Sequence, residues 1–495
     1  MTYNNPRQLP ISRPKLKYPL RRRRRNRIIA SFMVLILILA VILTTNYMFA
    51  TDKKVVASSD TVKQKVTTTA PATTTVSDVW RVVWGSPMAW GYQTVTNASL
   101  REIIKSPTAG NALEIQISNL YGNVPLNLES LNIAQVSSGA NIIASTEVPL
   151  TFNGSTSVTI PVGQQLVSDP IQMSVSQFEV LAVSFYVVGS DLVTLHPCCS
   201  VGTASYFTPN NKPDVANSLQ GSSFGYASSY PRFVDAMFLD QGPTQASSAG
   251  SIVVIGDSIS DGYNSTTRWP DYLQFRIDQL PVVEQRAVID EGITANALLS
   301  LPDDDSKKGG GPSGLSRVDN DALSLPGVST VILLLGTNDL WFGATATQLI
   351  QGMQQFIQTV KAAGKQVIGI TLLPRMSSVK ELWTPLQQSY LEDVNNWMMT
   401  SNSFDYVVNM ASVISDTYNG QCVPTSIFPP YNSGDNLHPS PAGDVAMANA
   451  VPAADLGYSS LPYVTPLVNV TPTVGCMGVE GIPSAYQATS QSPSH

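Results

Sequence analysis

Two kinds of apolar patterning divide the chain. From Asp78 to about Gln245, short runs such as Leu113–Ile117, Ser157–Ile160 and Val180–Val188 are apolar or alternate apolar with polar positions. Clusters of Gly, Asn, Pro and Ser separate them, Asn153-Gly154-Ser155 among them. Short strands with regular turn signals predict an all-β sandwich or jelly roll over residues 78–245. After Ser251 the rhythm changes. Continuous apolar runs (Ile252–Ile255, Val331–Leu335, Val367–Thr371, Tyr406–Val408) alternate with the helix-length segments Pro270–Leu280, Ala346–Ala363 and Glu381–Thr400. Strands apolar on both faces belong to a parallel sheet with helices on either side, so residues 250–452 read as a three-layer α/β domain. A Ser-, Ala- and Gly-containing linker, Gln241–Gly250, joins the two. Residues 453–495, rich in Pro, Gly and Ser, read as a surface tail without helices.

The N-terminus differs from both. Ile28–Ala50 holds no charge and follows five consecutive arginines, Arg21 to Arg25. A membrane-spanning helix needs about 20 apolar residues, and basic residues ahead of it place the body outside. Residues 1–27 are then a basic cytoplasmic segment, 28–50 a transmembrane anchor, and the Thr-rich 51–77 a stalk too poor in apolar residues to fold. The alternative is a long secretory signal, for which Met48-Phe49-Ala50 is a poor cleavage site. Either way the body is exported. Ten of the 29 Lys and Arg lie in residues 1–27, leaving 19 against 35 Asp and Glu, a formal −16 for the remainder. An acidic body lacks the clustered cations that phosphate backbones need, which argues against nucleic acid as a partner.

Export permits disulfides. Of Cys198, Cys199, Cys422 and Cys476, the last two are the expected bridge; the adjacent pair is either a vicinal disulfide or two thiols. No C-x-x-C or Cys/His cluster offers a zinc site, and no metal or cofactor is expected.

The chemistry-bearing residues collect after the α/β strands. Ile252–Ile255 runs into Gly256-Asp257-Ser258-Ile259-Ser260, and Val331–Leu335 into Gly336-Thr337-Asn338-Asp339. Ligands of parallel sheets gather beyond the carboxyl ends of strands, so Ser258 and Asn338 share an edge. Ser258 reads as a nucleophile or a turn residue, with Ser260 as a neighbouring decoy. Asn338 reads as an oxyanion donor or a helix cap. A serine nucleophile needs a base, and the chain has three histidines: His196 in the β region, His495 at the end, and His438 in Asp435-Asn436-Leu437-His438. Asp435 can orient the ring of His438 through its second nitrogen. Trp269, Trp341 and Phe342 are candidate pocket residues or core. Asp303-Asp304-Asp305, beside Lys307-Lys308 and three glycines, reads as a solvated loop; Gly309-Gly310-Gly311 is not a phosphate loop, because no Gly-Lys-Ser/Thr follows.

Taken together these blocks resemble the GDSL/SGNH hydrolase family: Gly256-Asp257-Ser258 as the first block, Gly292 as the glycine of the second, Gly336–Asp339 as the third and Asp435–His438 as the fifth. Arg268-Trp269-Pro270-Asp271 and Ser433-Gly434-Asp435 are similar to an exported bacterial subgroup with a β-rich domain ahead of the hydrolase. The resemblance covers roughly residues 78–452 and implies a flavodoxin-like α/β/α fold. It implies Ser258 as nucleophile, His438 as base, Asp435 as its orienter, and an oxyanion hole from Ser258, Gly292 and Asn338. One departure stands out: Asp290 replaces the second block's Asn, and Thr294-Ala295 replace its glycines. The implied function is an extracellular, membrane-tethered serine esterase, with carbohydrate O-acyl esters as the expected substrates. Lipid or lysophospholipid esters, or acyl transfer to a sugar hydroxyl, use the same triad. A non-catalytic cell-surface glycan-binding protein is the reading from another class.

Overall fold

The continuous apolar runs after Ser251 form one parallel sheet in the computed structural model. It describes residues 79–465 apart from 91–93, 193, 197–204, 210–229, 243–248, 264, 266, 301–309, 377–381 and 419–420. The basic segment, anchor and stalk of residues 1–77 lie outside the described residues, as do Cys198, Cys199, Cys476, the Cys422 side chain, Asp303–Asp305 and His495. Among the described residues no helix is long and apolar enough to cross a membrane.

The five strands stand in the order Val288–Gly292, Ser251–Gly256, Val328–Leu334, Gln366–Ile370, Tyr406–Val408, every neighbouring pair parallel. That is a doubly wound order whose switch point lies between the second and third strands listed, where ligands bind. Side-chain alternation splits the sheet's apolar residues between two cores. Ile252, Val254, Ile332 and Leu334 pack with Trp269, Leu273 and Met447; Val253, Ile255, Val331 and Leu333 pack with Leu349, Met353 and Phe356. Helix Ala346–Ala362 buries Leu349, Met353, Phe356 and Val360 at helical spacing, and a reciprocal Thr345–Gln348 cap starts it. The last long helix begins at Pro385 rather than Glu381: Thr384 accepts the Gln387 N–H, and Pro385 occupies the first turn, where no N–H is missed.

The β-rich region consists of antiparallel sheets. One sheet orders Trp80–Gly85, Val234–Asp240, Ala112–Ser118 and Gln165–Val167; the other is centred on Thr94–Lys105, Val180–Leu192 and Leu126–Ser138. Their inward residues, Leu100, Ile115 and Phe185 among them, belong to the same hydrophobic cluster as Val253 and Ile289 of the parallel sheet. The seam is also hydrogen-bonded: the Val82 N–H donates to the Pro326 carbonyl (2.8 Å), and the Ser251 hydroxyl to the Val82 carbonyl (2.7 Å). The two regions lie within one compact unit. The start of the expected helix-free tail is more built than its composition suggests. Ala454–Leu456 makes a single 3-10 turn, Leu456 and Leu461 are buried, and the Leu456 carbonyl accepts from Arg286 Nη1 at 2.8 Å.

Candidate active site

Ser258 opens a one-turn helix, Ser258–Asp261, directly after strand Ser251–Gly256. The local sequence explains both ends of that turn. Asp257 caps it by accepting the Ile259 N–H (2.9 Å), and Gly262 closes it at φ 83°, a left-handed conformation that glycine adopts without steric cost. The turn lifts Ser258 to the carboxyl edge of the sheet.

His438 reaches the same point from a loop between Asn432 and helix Pro441–Ala450. Its Nε2 lies 2.8 Å from Ser258 Oγ, and its Nδ1 lies 2.6 Å from Asp435 Oδ2. The loop holds itself rigid. Asp435 Oδ1 accepts the Leu437 and His438 N–H groups (3.0 and 2.9 Å), and Asn432 Oδ1 accepts those of Gly434 and Asn436. Burial works to raise the Asp435 carboxyl, but the His438 ring and backbone donors outweigh it and hold it well below the usual carboxylate range. Sequence separation is 180 residues between Ser258 and His438, yet their side chains meet within hydrogen-bond distance.

The proposed oxyanion donors sit nearby with partners of their own. Gly292 ends the neighbouring strand, paired in register with Gly256. A Cβ there would fall 2.5 Å from the Asp261 nitrogen, so only glycine fits against the Ser258 turn. Its N–H donates to Asp290 Oδ1 at 3.0 Å. Asn338 lies in the short helix Thr337–Trp341 behind Gly336, and its Nδ2 donates to the Asn296 carbonyl (2.9 Å) and lies 3.5 Å from Asp257 Oδ2. Asp339 anchors the loop after Gly292, accepting the Leu298 and Leu299 N–H groups at 2.8 Å each. Burial pushes Asp339 up to about 7 and Asp257 to about 6, in each case against hydrogen bonds that favour the charge.

The departure at Asp290 is matched by a cation. Arg268 Nη1 lies 3.0 Å from Asp290 Oδ2, while its Nε and Nη2 grip Asp271 at 3.0 and 2.9 Å. The Arg268–Asp271 motif and the altered second block are therefore one charge arrangement. Asp290 accepts the Gly292 N–H through Oδ1 and faces the Arg268 guanidinium through Oδ2, while burial pushes its carboxyl up to about 8 against that charge.

Ser260, Trp269, His196 and Trp341 have partners away from the Ser258 hydroxyl. The Ser260 hydroxyl accepts from the Trp269 indole (3.2 Å), and Trp269 is fully buried. His196 is buried too, with Nε2 2.9 Å from Asp261 Oδ1 and Nδ1 3.1 Å from the Pro87 carbonyl. Trp341 is half-buried against the Arg375 guanidinium, 4.8 Å away.

Two residues near the site carry no signal in the motif reading. The Tyr263 ring lies 4.6 Å from the His438 ring, tilted by 40°, and is exposed, so it roofs the imidazole. Arg375 is buried between Trp341 and Trp383 and close enough to Asp257 to favour its charge. Its place just beyond strand Gln366–Ile370 was the available clue. Among the described residues no group of His, Cys, Asp and Glu is arranged to hold a metal ion.

Residues 254–446 match the GDSL-like lipase/acylhydrolase family. A search of the curated proteins finds no match. Among solved structures, the chain is similar to a GDSL-like lipase from Bacteroides thetaiotaomicron (16% identity, 42% of this chain and 88% of that one, TM-score 0.33). It is also similar to an acetylxylan esterase from Geobacillus stearothermophilus (17%, 45% and 99%, 0.32) and to an aryl esterase from M. smegmatis (18%, 41% and 96%, 0.33).

Proposed function

We propose, from the match of residues 254–446 to the GDSL-like lipase/acylhydrolase family, a serine esterase with Ser258 as nucleophile, His438 as base and Asp435 as the orienting carboxylate. One observation carries the assignment: a continuous contact chain runs from Ser258 Oγ through both nitrogens of His438 to Asp435, at 2.8 and 2.6 Å. In this reading His438 Nε2 takes the Ser258 proton as Oγ attacks an ester carbonyl. Asp435 accepts from Nδ1 and stabilises the imidazolium that forms. The oxyanion is held by the Ser258 and Gly292 N–H groups and the Asn338 amide, Gly292 being the weakest donor because Asp290 Oδ1 shares its N–H. The alcohol leaves with the proton from His438. Water then repeats the attack on the acyl-enzyme and restores Ser258.

The substrate in this reading is a carbohydrate O-acyl ester with a short acyl group. What supports it is the β-rich region fused ahead of the hydrolase, as in the exported subgroup that the sequence resembles, and that is an argument from analogy. The protein acts outside the membrane, tethered through residues 28–50. The test uses the full chain in detergent, as wild type and Ser258→Ala, on p-nitrophenyl acetate, p-nitrophenyl octanoate and acetylated xylan. We expect acetate release from the first and third, abolished in the variant. Turnover of the octanoate alone would move the reading to lipid esters, and transfer to an added sugar without net hydrolysis to an acyltransferase. Absence of both Ser258-dependent turnover and fluorophosphonate labelling would leave the binding protein. For the tether, membrane-bound protein retaining Arg21–Arg25 is expected; soluble protein starting near Thr51 would refute it.

A further inference from the structure

We infer that the β-rich region completes the active site, with His196 as a positioning residue that acts through Asp261 on the turn beside Ser258. The inference rests on the Ser258 esterase reading above.

His196 belongs to the short strand Leu195–His196, and its side chain and that of Asp261 are 2% and 0% exposed. Both ring nitrogens are engaged, Nδ1 at 3.1 Å from the Pro87 carbonyl and Nε2 at 2.9 Å from Asp261 Oδ1. A carboxyl buried this completely is tolerated only where its oxygens find partners. Here they do: Asp261 Oδ2 accepts the Thr294 N–H at 3.0 Å and the Thr294 hydroxyl at 2.6 Å. One carboxylate thus joins three segments. Asp261 itself ends the helix that Ser258 begins, Thr294 lies in the turn that follows Gly292, and His196 comes from the β-rich region 65 positions upstream. Arg232, from the same region, is buried close enough to feel the Asp261 charge.

The turn needs an external hold. Where the resembling family has glycines, this chain has Thr294 and Ala295, and Ala295 sits at φ 62°. That left-handed conformation costs a residue with a Cβ about 1–2 kcal/mol and persists only where the surroundings over-determine it. Asp261 fixes Thr294 on one side of Ala295. On the other, Asn296 Nδ2 donates to the Gly310 and Pro312 carbonyls, at 2.5 and 2.7 Å. The Asn296 carbonyl in turn receives the Asn338 amide. The same turn therefore sets Gly292 and Asn338, and His196 reaches it from the Leu195–His196 strand through Asp261. Losing that tie lets the donors shift, and a misplacement of about 1 Å costs roughly 100-fold in rate.

The test compares wild type, Ser258→Ala, His196→Ala and His196→Gln in the full chain. Turnover of p-nitrophenyl acetate is expressed per active site, counted by stoichiometric fluorophosphonate labelling. We expect His196→Ala to lower kcat about 10- to 100-fold with KM within about two-fold, and His196→Gln, which keeps a donor for Asp261, to recover part of it. Wild-type kcat per site in His196→Ala overturns the inference. So does a loss that disappears once sites are counted, which is misfolding, or a Gln variant no better than Ala, which would make ring bulk rather than the Asp261 bond the cause. If His196→Ala gives no labelled sites, His196→Gln decides alone, a kcat equal to wild type overturning the inference and an intermediate one supporting it. Wild type without Ser258-dependent turnover is a separate outcome, and it removes the esterase reading and this inference together.

Discussion

His438 and Asp435 are three residues apart on one loop at the edge of the parallel sheet, whereas His196 and Asp261 are 65 apart and meet across the seam with the β-rich region. The two pairs contain the same groups at similar distances. They differ at the second ring nitrogen. His438 presents it to the Ser258 hydroxyl, a group with a proton to give, while His196 presents it to the Pro87 carbonyl, which can only accept. They differ also in exposure: the Asp435 side chain is 33% exposed and the Asp261 side chain 0%. A base must gain and lose a proton in every turnover, which an accessible loop allows and a sealed seam does not. An imidazole beside a carboxylate is therefore no signature of catalysis until the atom on its far side is known.

The sharpest way to break this comparison is to alter the carboxylate of the pair proposed to be catalytic. Asp435→Asn preserves shape but no longer holds His438 in the tautomer that leaves Nε2 free to accept. We expect kcat on p-nitrophenyl acetate to fall by about 10³–10⁴-fold with the fold intact by circular dichroism. A loss below about ten-fold would remove Asp435 from the triad. Asn338→Ala comes next. It deletes one oxyanion donor, and a loss of about 10²–10³-fold in kcat is expected. Because the Asn338 amide donates to the Asn296 carbonyl in the resting structure, a change confined to thermal stability would make it a strut of the Gly292 turn instead.

The Asp435–His438 pair was legible in the sequence as a candidate and the seam pair was not, for a physical reason. Ser258, Asn338 and His438 each follow local signals: an apolar strand that ends in a Gly-containing turn, or an Asp-x-x-His loop ahead of a proline-started helix. Parallel strands must deliver such turns to one edge, so local reading carries over to three dimensions. His196 and Asp261 share no element, no period and no motif. Their meeting depends on long-range pairing, strand Leu195–His196 with Tyr230–Pro231 and the His196 ring with the Pro87 carbonyl more than 100 positions earlier. Tyr263 was missed similarly, since its position over His438 follows from the left-handed Gly262 before it. In the β-rich region the run Val180–Val188 extends in fact to Leu192, because pairing with Thr94–Lys105 continues past the apolar stretch. Backbone partners, not side-chain hydropathy, set that end.

The seam can be tested without touching either histidine. Gly85 ends the first strand of the β-rich region, and a Cβ there would fall 2.0 Å from Glu291 Oε1 and 2.8 Å from the Ile289 side chain. Glu291 is buried and cannot swing into water. Gly85→Ala should therefore destabilise the protein by about 1–3 kcal/mol, an overpacking cost, read as a lowered denaturation midpoint. If the two regions are as coupled as the shared core implies, unfolding remains a single transition. Two separate transitions would show that the seam is a contact between independent folds.

The smallest effect sharpens the contrast between carboxylates of the two regions. Asp235, on strand Val234–Asp240, is pushed up to about 8 by burial and then by the Asp321 charge, against the hydrogen bond from Gln116. Asp435 is held low, so the two respond to pH with opposite sign. Between the unfolded value near 4 and about 8, the folded chain holds a proton on Asp235 that the unfolded chain has lost. Its stabilising contribution is complete below the unfolded value and disappears as pH rises through the folded one. The contribution of Asp435 is present above the unfolded value and disappears as pH falls through its folded one. Asp235→Asn should accordingly flatten the decline of the thermal midpoint between about pH 4 and pH 8, with variant and wild type diverging in the variant's favour as pH rises through that window. Below pH 4 the two should lose stability together, since Asp435 is untouched. Parallel curves between pH 4 and pH 8 would mean that Asp235 stays ionised in the fold, its charge carried by the Gln116 and Gln165 amides at 2.5 and 2.7 Å.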